Sequence, residues 1–145
     1  MKRTEVKTFI QAGINALNDG IAYGTGRISE FNSNRVLSYP HIWMEPLEVD
    51  GDIPNNVPQD DWVVTLHIAK KDRPDSDPDE YELLVDQCDE VAQELIHKYN
   101  NIVNSYKTVT IKGYNRVPEI KKNADCLTGV RLRFTINAPD TANWC

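Results

Sequence analysis

No apolar run in this sequence approaches the length needed to cross a bilayer as a helix. The start, MKRTEVKTFIQAG, carries basic residues but no long apolar stretch and no small-residue cleavage site. No signal peptide is therefore expected, and the protein reads as an intracellular one or one assembled in the cytoplasm. There are only 3 cysteines, Cys88, Cys126 and Cys145, with no Cys-x-x-Cys spacing among them. That speaks against a disulfide framework and against a zinc site. Motifs of nucleophilic and metal-dependent hydrolysis, Gly-x-Ser-x-Gly and His-Glu-x-x-His, are missing. GTGRIS at residues 24–29 lacks the third glycine and the Gly-Lys-Ser/Thr ending of a phosphate loop, and follows a helix rather than a strand, so it reads as a turn.

Metal and base chemistry fare little better. Of the histidines, His41 and His67 fall on separate strands and His97 on the polar side of a helix, each without a second ligand at metal spacing. The densest charge run, DRPDSDPDEYE at residues 72–82, places Asp75, Asp77 and Asp79 at the first three ligand positions of a calcium loop. The match then fails: Glu80 stands where a glycine must make the turn, and Asp86 where a bidentate glutamate is needed. The same residues explain themselves as a helix start. Asp77 is the N-cap, Pro78 the first helical residue and Glu80 the third, a capping box with acids at the positive end of the helix dipole. No cofactor and no metal is expected.

What is present is a globular composition: 145 residues, 40% hydrophobic and 26% charged, enough for one domain spanning 1–145 with a substantial core. The net charge is −6, which disfavours general attraction to nucleic acid or anionic membranes. Its distribution is uneven. Residues 1–100 hold 9 Lys/Arg and 19 Asp/Glu, residues 101–145 hold 7 and 3. Both groups read first as solvated surface. They would also suit head-to-tail self-association, an acidic patch of one copy meeting a basic patch of the next.

Val6, Phe9, Ile10, Gly13, Ile14, Leu17 and Ile21 recur at helical spacing, predicting a helix from Thr4, its cap, to about Ala22. Gly13 would let another element approach closely. Residues 23–38 read as irregular. Residues 39–49 read as a strand that Pro40 and Pro46 push towards a sheet edge or bulge. A long polar loop, VDGDIPNNVPQDD, follows. DWVVTLHIAKK alternates cleanly, Trp62, Val64, Leu66 and Ile68 on one face and Val63, Thr65, His67 and Ala69 on the other. The stripe Tyr81, Leu84, Val85, Cys88, Val91, Ala92, Leu95, Ile96, Tyr99 predicts a helix over 78–101, with Cys88 as a small core residue. Three strands are expected after it, at 106–112, 116–121 and 127–137, with a turn at Lys112-Gly113-Tyr114-Asn115 between the first two. The order α-β-β-α-β-β-β predicts an α+β fold: an antiparallel sheet of four to five strands with two helices on one face and a long loop between the first two strands.

Apolar residues in polar surroundings are informative. Ile53 and Val57 lie in the loop, Trp43 and Met44 put bulk on both faces of one strand, and Trp144 stands in a polar tail. Each can tuck onto its own core; together they point to surfaces covered by another chain. Arg131 and Arg133, with Lys121 and Lys122, could form a basic strip, but too few aromatics interleave for a single-strand nucleic-acid surface. The candidate contact residues are thus Trp43, Asp50, Asp52, Ile53, Val57, Asp60, Asp61, Arg131, Arg133 and Trp144.

The N-terminal helix, the two strands joined by VDGDIPNNVPQDD, the capped helix DPDEYELLVDQCDEVAQELIHKYNN and the last strand LTGVRLRFTINAP together resemble small neck and tail-terminator-type ring proteins of tailed bacteriophages, of the kind found in phages of Bacteroidota hosts. The resemblance implies a virion structural protein assembled in the host cytoplasm, with no catalytic residues and no cofactor. It implies a homo-oligomeric ring, often of six or twelve copies, contacting neighbouring neck, portal or tail proteins. The long loop would reach a neighbouring subunit, and double-stranded DNA would pass through the lumen without sequence-specific binding. Two other classes stay open. One is a binding module whose exposed sheet edge takes a partner strand. The other is a small enzyme whose site converges from His67, Asp125 and a cysteine.

Overall fold

A computed structural model of the chain describes residues 2–17, 21–27, 40–53, 59–103, 110–122 and 126–139. Among these, two helices and six strands form an α+β fold. In chain order they are α1 (Arg3–Asn15), β1 (Ala22–Thr25), β2 (His41–Met44), β3 (Glu48–Asp52), β4 (Gln59–Lys71), α2 (Pro78–Val103), β5 (Thr110–Lys122) and β6 (Leu127–Pro139). The sheet runs β1-β2-β4-β6-β5, with β3 also paired to β4, below β2. Every pairing is antiparallel except β1 with β2.

The core lies between one face of this sheet and both helices. Trp62, Val64, Leu66 and Ile68 of β4 and Val130, Leu132, Phe134 and Ile136 of β6 face Val6, Phe9, Ile10 and Ile14 of α1 and Cys88, Ala92, Leu95 and Tyr99 of α2. The alternation read from DWVVTLHIAKK is therefore the one that folds. Tyr99 is fully buried and ties the helices together: its hydroxyl donates to the Ile10 carbonyl oxygen at 2.8 Å, and its ring stacks on Phe9 and tilts against Phe134. Gly13 makes room for that ring, since a Cβ there would stand 2.2 Å from Tyr99 Cε1.

The charge run at residues 72–82 starts α2. Asp77 Oδ1 accepts the Glu80 backbone N–H at 2.9 Å, and Arg73 pairs with Glu80. Upstream, the buried Asp72 accepts Thr128 Oγ1–H at 2.6 Å and its own neighbour's N–H, from Arg73, at 2.7 Å, pinning the end of β4 to the start of β6. Burial pushes the Asp72 carboxyl up, but its hydrogen bonds outweigh that and hold it below the usual carboxylate range.

Several expected boundaries move. The sheet has six strands rather than four to five, in the order α-β-β-β-β-α-β-β. Helix α1 starts at Arg3, with Lys2 rather than Thr4 as N-cap, and ends at Asn15; Ile21 and Ala22, read as its last turn, lead into β1. The Asn-Asp-Gly that follows Leu17 is the stop signal which the apolar spacing overrode. The strand expected over 39–49 breaks in two at Glu45-Pro46-Leu47, because Pro46 has no N–H for the ladder and Leu47 turns into the core, 5% exposed. Its second half extends into the supposed loop: Asp50 pairs with Asp61, Gly51 with Asp60 and Asp52 with Gln59. The long loop is thus a hairpin whose connection is residues 53–58. The turn expected at 112–115 is no turn. β5 is one strand, with a bulge between Ile111 and Gly113 that lets it follow the 13-residue β6.

Candidate functional site: the helix-free face of the sheet

The second face of the sheet carries no helix among the described residues. Strand alternation and register fix what it shows. On β4 these are Asp61, Val63, Thr65, His67 and Ala69, the residues between the core positions. Opposite them on β6 stand Asn137, Thr135, Arg133, Arg131 and Gly129, and on β5 Gly113, Asn115, Val117 and Glu119. β2 contributes His41 and Trp43 through their pairing with Ala69 and His67. Gly129 is required here, since a Cβ would meet the Ile68 carbonyl oxygen at 1.9 Å.

His67 is the centre of this face. It is 5% exposed, and both ring nitrogens are engaged: Nδ1 lies 2.5 Å from Glu119 Oε1 and Nε2 3.0 Å from Glu45 Oε2. A neutral imidazole donates from one nitrogen only, whereas both contacts with ionised carboxylates need a donor. The arrangement therefore favours the imidazolium. Burial alone would lower the pKa of His67, and it is the largest single influence; the two glutamates together overcome it and raise the pKa above the ordinary value. The clasp joins three places in the chain: the β2–β3 break, the middle of β4 and the far part of β5.

At the other end, Asp61 stands directly across from Asp50, a like-charge pairing that would cost a few tenths of a kcal/mol if left alone. Asn137 Nδ2 donates to Asp61 at 2.6 Å and Lys112 Nζ at 2.9 Å. The Asn137 bond chiefly, with Lys112, holds the Asp61 carboxyl below its usual range against partial burial. Asp50, Asp61, Lys112, Tyr114, Asn115 and Arg133 rim an open depression of about 370 Å³. It is a shallow concavity of mixed charge.

The expected contact residues distribute as follows. Asp50 and Asp52 lie on β3, Asp60 and Asp61 on β4, and Arg131 and Arg133 on β6. Arg133 is exposed; Arg131, beside His67, is partly buried and its Nε has no hydrogen-bond partner among the described residues. Ile53 is 65% exposed just past β3. Trp43 is 3% exposed, its Nε1–H donating to the Gly26 carbonyl oxygen and its ring covering Gly24, so its bulk is absorbed within its own chain. Val57, Asp125 and Trp144 lie outside the described residues. His67 and Cys88 do not converge: Cys88 sits in the core on the helix side, where burial pushes its thiol up to about 11. Among the described residues no cluster of His, Cys, Asp and Glu could hold a metal ion.

Sequence reasoning placed His67 on the correct face but missed Glu45 and Glu119 as its partners. Glu45 follows Trp43 by two residues, a parity signal readable in the sequence. Glu119 stands 52 positions away and reaches His67 only through the β4–β6–β5 register. No known protein-family model matches the chain, and no curated protein matches it in sequence.

Proposed function

We propose that this chain is a non-catalytic structural subunit that assembles into rings of the neck or tail-terminator type of tailed bacteriophages. The observation that carries the reading is the second face of the sheet: three 13-residue strands, each about 40 Å long, have a packed core on one side, and on the other no helix among the described residues, with Asn115, Val117 and Arg133 exposed beside the buried Val63, His67 and Ala69. Such a face serves as a contact or lining surface. The Glu45–His67–Glu119 constellation on it has both imidazole nitrogens engaged, which suits a structural clasp better than a base.

In this reading the partners are further copies of the chain, then neighbouring neck, portal or tail proteins, in a virion assembled in the host cytoplasm. Double-stranded DNA passes the lumen, and the chain's net negative charge keeps it from adhering. Light scattering on purified protein across a salt series tests this. A discrete ring-sized mass that loosens with salt is expected. A monomer at every salt and protein concentration would remove the reading.

A second reading is favoured by β5, an edge strand paired only to β6 among the described residues. A module that takes a partner's strand there would be a stable monomer binding one-to-one.

A further inference from the structure

Among the described residues three strands lack a neighbour on one side, β1, β3 and β5, and two of them, β3 and β5, complement each other. One is β3: β1 covers β2, but nothing described covers β3. Glu48, Val49, Asp50 and Gly51 are all exposed, and a Cβ on Gly51 would meet nothing within 4 Å. The other is β5. Its usable part is bounded. The bulge at Lys112 ends it on one side. On the other stands Pro118, which has no N–H and is tolerated in an edge strand where its nitrogen faces away from the partner strand. Register is continuous from Tyr114 to Pro118, so Tyr114 and Arg116 share the outward direction of Pro118 and present their N–H and C=O groups away from β6. That leaves Gly113–Val117, five residues, as a template for one more strand. β3 is five residues long.

We propose that β3 of one copy adds to Gly113–Val117 of β5 in the next copy as an antiparallel strand, carrying one sheet from subunit to subunit. The proposal rests on the assembly reading above and names its junction. Direction supports it. Each step β3–β4, β4–β6 and β6–β5 is antiparallel, so β3 and β5 run in opposite directions within one sheet. A second copy placed alongside in the same orientation therefore meets the first in antiparallel pairing, with core sides and helix-free sides matched. Such a contact is heterologous, and successive copies related by a fixed rotation close into a ring.

Side chains and charge agree. Val49 pairs with Trp62 and Tyr114 with Phe134, so both stand on the core side of the sheet. They are 40% and 55% exposed, large apolar groups left at opposite edges. Joining the five residues of β3 to Gly113–Val117 sets Val49 across from Arg116 and diagonal to Tyr114, still within reach of its ring on the same face, and a shift of two residues sets Val49 directly across from Tyr114. β3 carries Glu48, Asp50 and Asp52 and no base, while β5 carries Lys112, Arg116, Lys121 and Lys122 against Glu119 alone. The same signs that favour the heterologous contact oppose β5–β5 and β3–β3 pairing.

Disulfide trapping tests the junction. In full-length protein with Cys126→Ser and Cys145→Ser, the buried Cys88 is retained. Val49→Cys is combined with Tyr114→Cys, and separately with Arg116→Cys for the register one pair along. Mild oxidation is expected to link most of the double-variant chain into a ladder of multimers in one of the two registers. Each single variant alone should give no linked product, and mixing the Val49→Cys and Tyr114→Cys (or Arg116→Cys) singles should give dimers only. A dimer from Tyr114→Cys alone would overturn the proposal in favour of a two-fold β5–β5 contact. Protein that light scattering shows to be assembled, yet links in neither register, would overturn the junction and leave the assembly reading standing. A chain that is monomeric and unlinked would overturn both.

Discussion

At the scale of single residues, His67 is the most consequential group. Its imidazole is held between Glu45 and Glu119 and lies across from Arg131 on β6, with His41 and Trp43 on the adjoining strand. The folded-state pKa is raised, so the clasp contributes stability that is fully present below the unfolded value near 6.5 and is lost as pH rises through the raised folded value. Urea unfolding of the wild-type chain at steps from pH 5.5 to 9 should therefore show a loss beginning above about pH 6.5. His67→Gln should cost about 2 kcal/mol at pH 6 and remove that segment of the pH dependence. An unchanged pH profile in the variant would mean that the decline belongs to other groups. Only part of this was legible. Alternation along β4 assigns His67 to the face away from Trp62, Val64, Leu66 and Ile68, where a polar residue is admissible. Its burial depends on Glu119 arriving from β5, and no local pattern encodes that.

At the scale of elements, the start of α2 was legible because every determinant is local. Asp77, Pro78 and Glu80 occupy fixed positions relative to one another, and the Asp77 to Glu80 bond at 2.9 Å forms as the spacing implies. Asp77→Ala should accordingly cost about 1 kcal/mol in global unfolding. Asp75→Ala, an exposed position in the same run, should cost less than about 0.5 kcal/mol. Equal losses at the two positions would show that the run acts through summed charge and not through a cap. The strands were harder for the opposite reason. Lys112-Gly113-Tyr114-Asn115 has the composition of a turn, yet β6 offers a 13-residue ladder and β5 absorbs the extra residue as a bulge. Asp50, Asp52, Asp60 and Asp61 have the composition of a loop, yet Asp61 is satisfied by Asn137 and Lys112, which belong to other strands. In each case long-range pairing overrode a correct reading of local propensity.

At the scale of the whole molecule, the α+β class and the one-sided placement of the helices followed from two apolar stripes and one alternating strand. The open strands β3 and β5 did not, because an edge is defined by what fails to pair with it. The same limit applies to the contacts proposed for residues 50–61. The structure divides that stretch into β3, a connection at 53–58 and the start of β4, with Asp52 paired to Gln59 across the connection. These parts can be separated experimentally. A two-residue Asn-Gly turn in place of residues 53–58 joins Asp52 to Gln59 directly, matches the existing register and removes Ile53 and Val57. Loop closure favours the shorter connection by only about 1 kcal/mol, so the monomer should unfold at or slightly above its original denaturant midpoint. If the connection supplies contacts to a neighbouring copy, the shortened chain should stay folded and sediment as smaller species at salt concentrations where the parent is assembled. If the edges alone carry assembly, the shortened chain should assemble as the parent does, and Ile53 and Val57 would lose their place among the contact residues. Circular dichroism and sedimentation velocity on the one variant distinguish these outcomes, because folding is read by the first and association by the second.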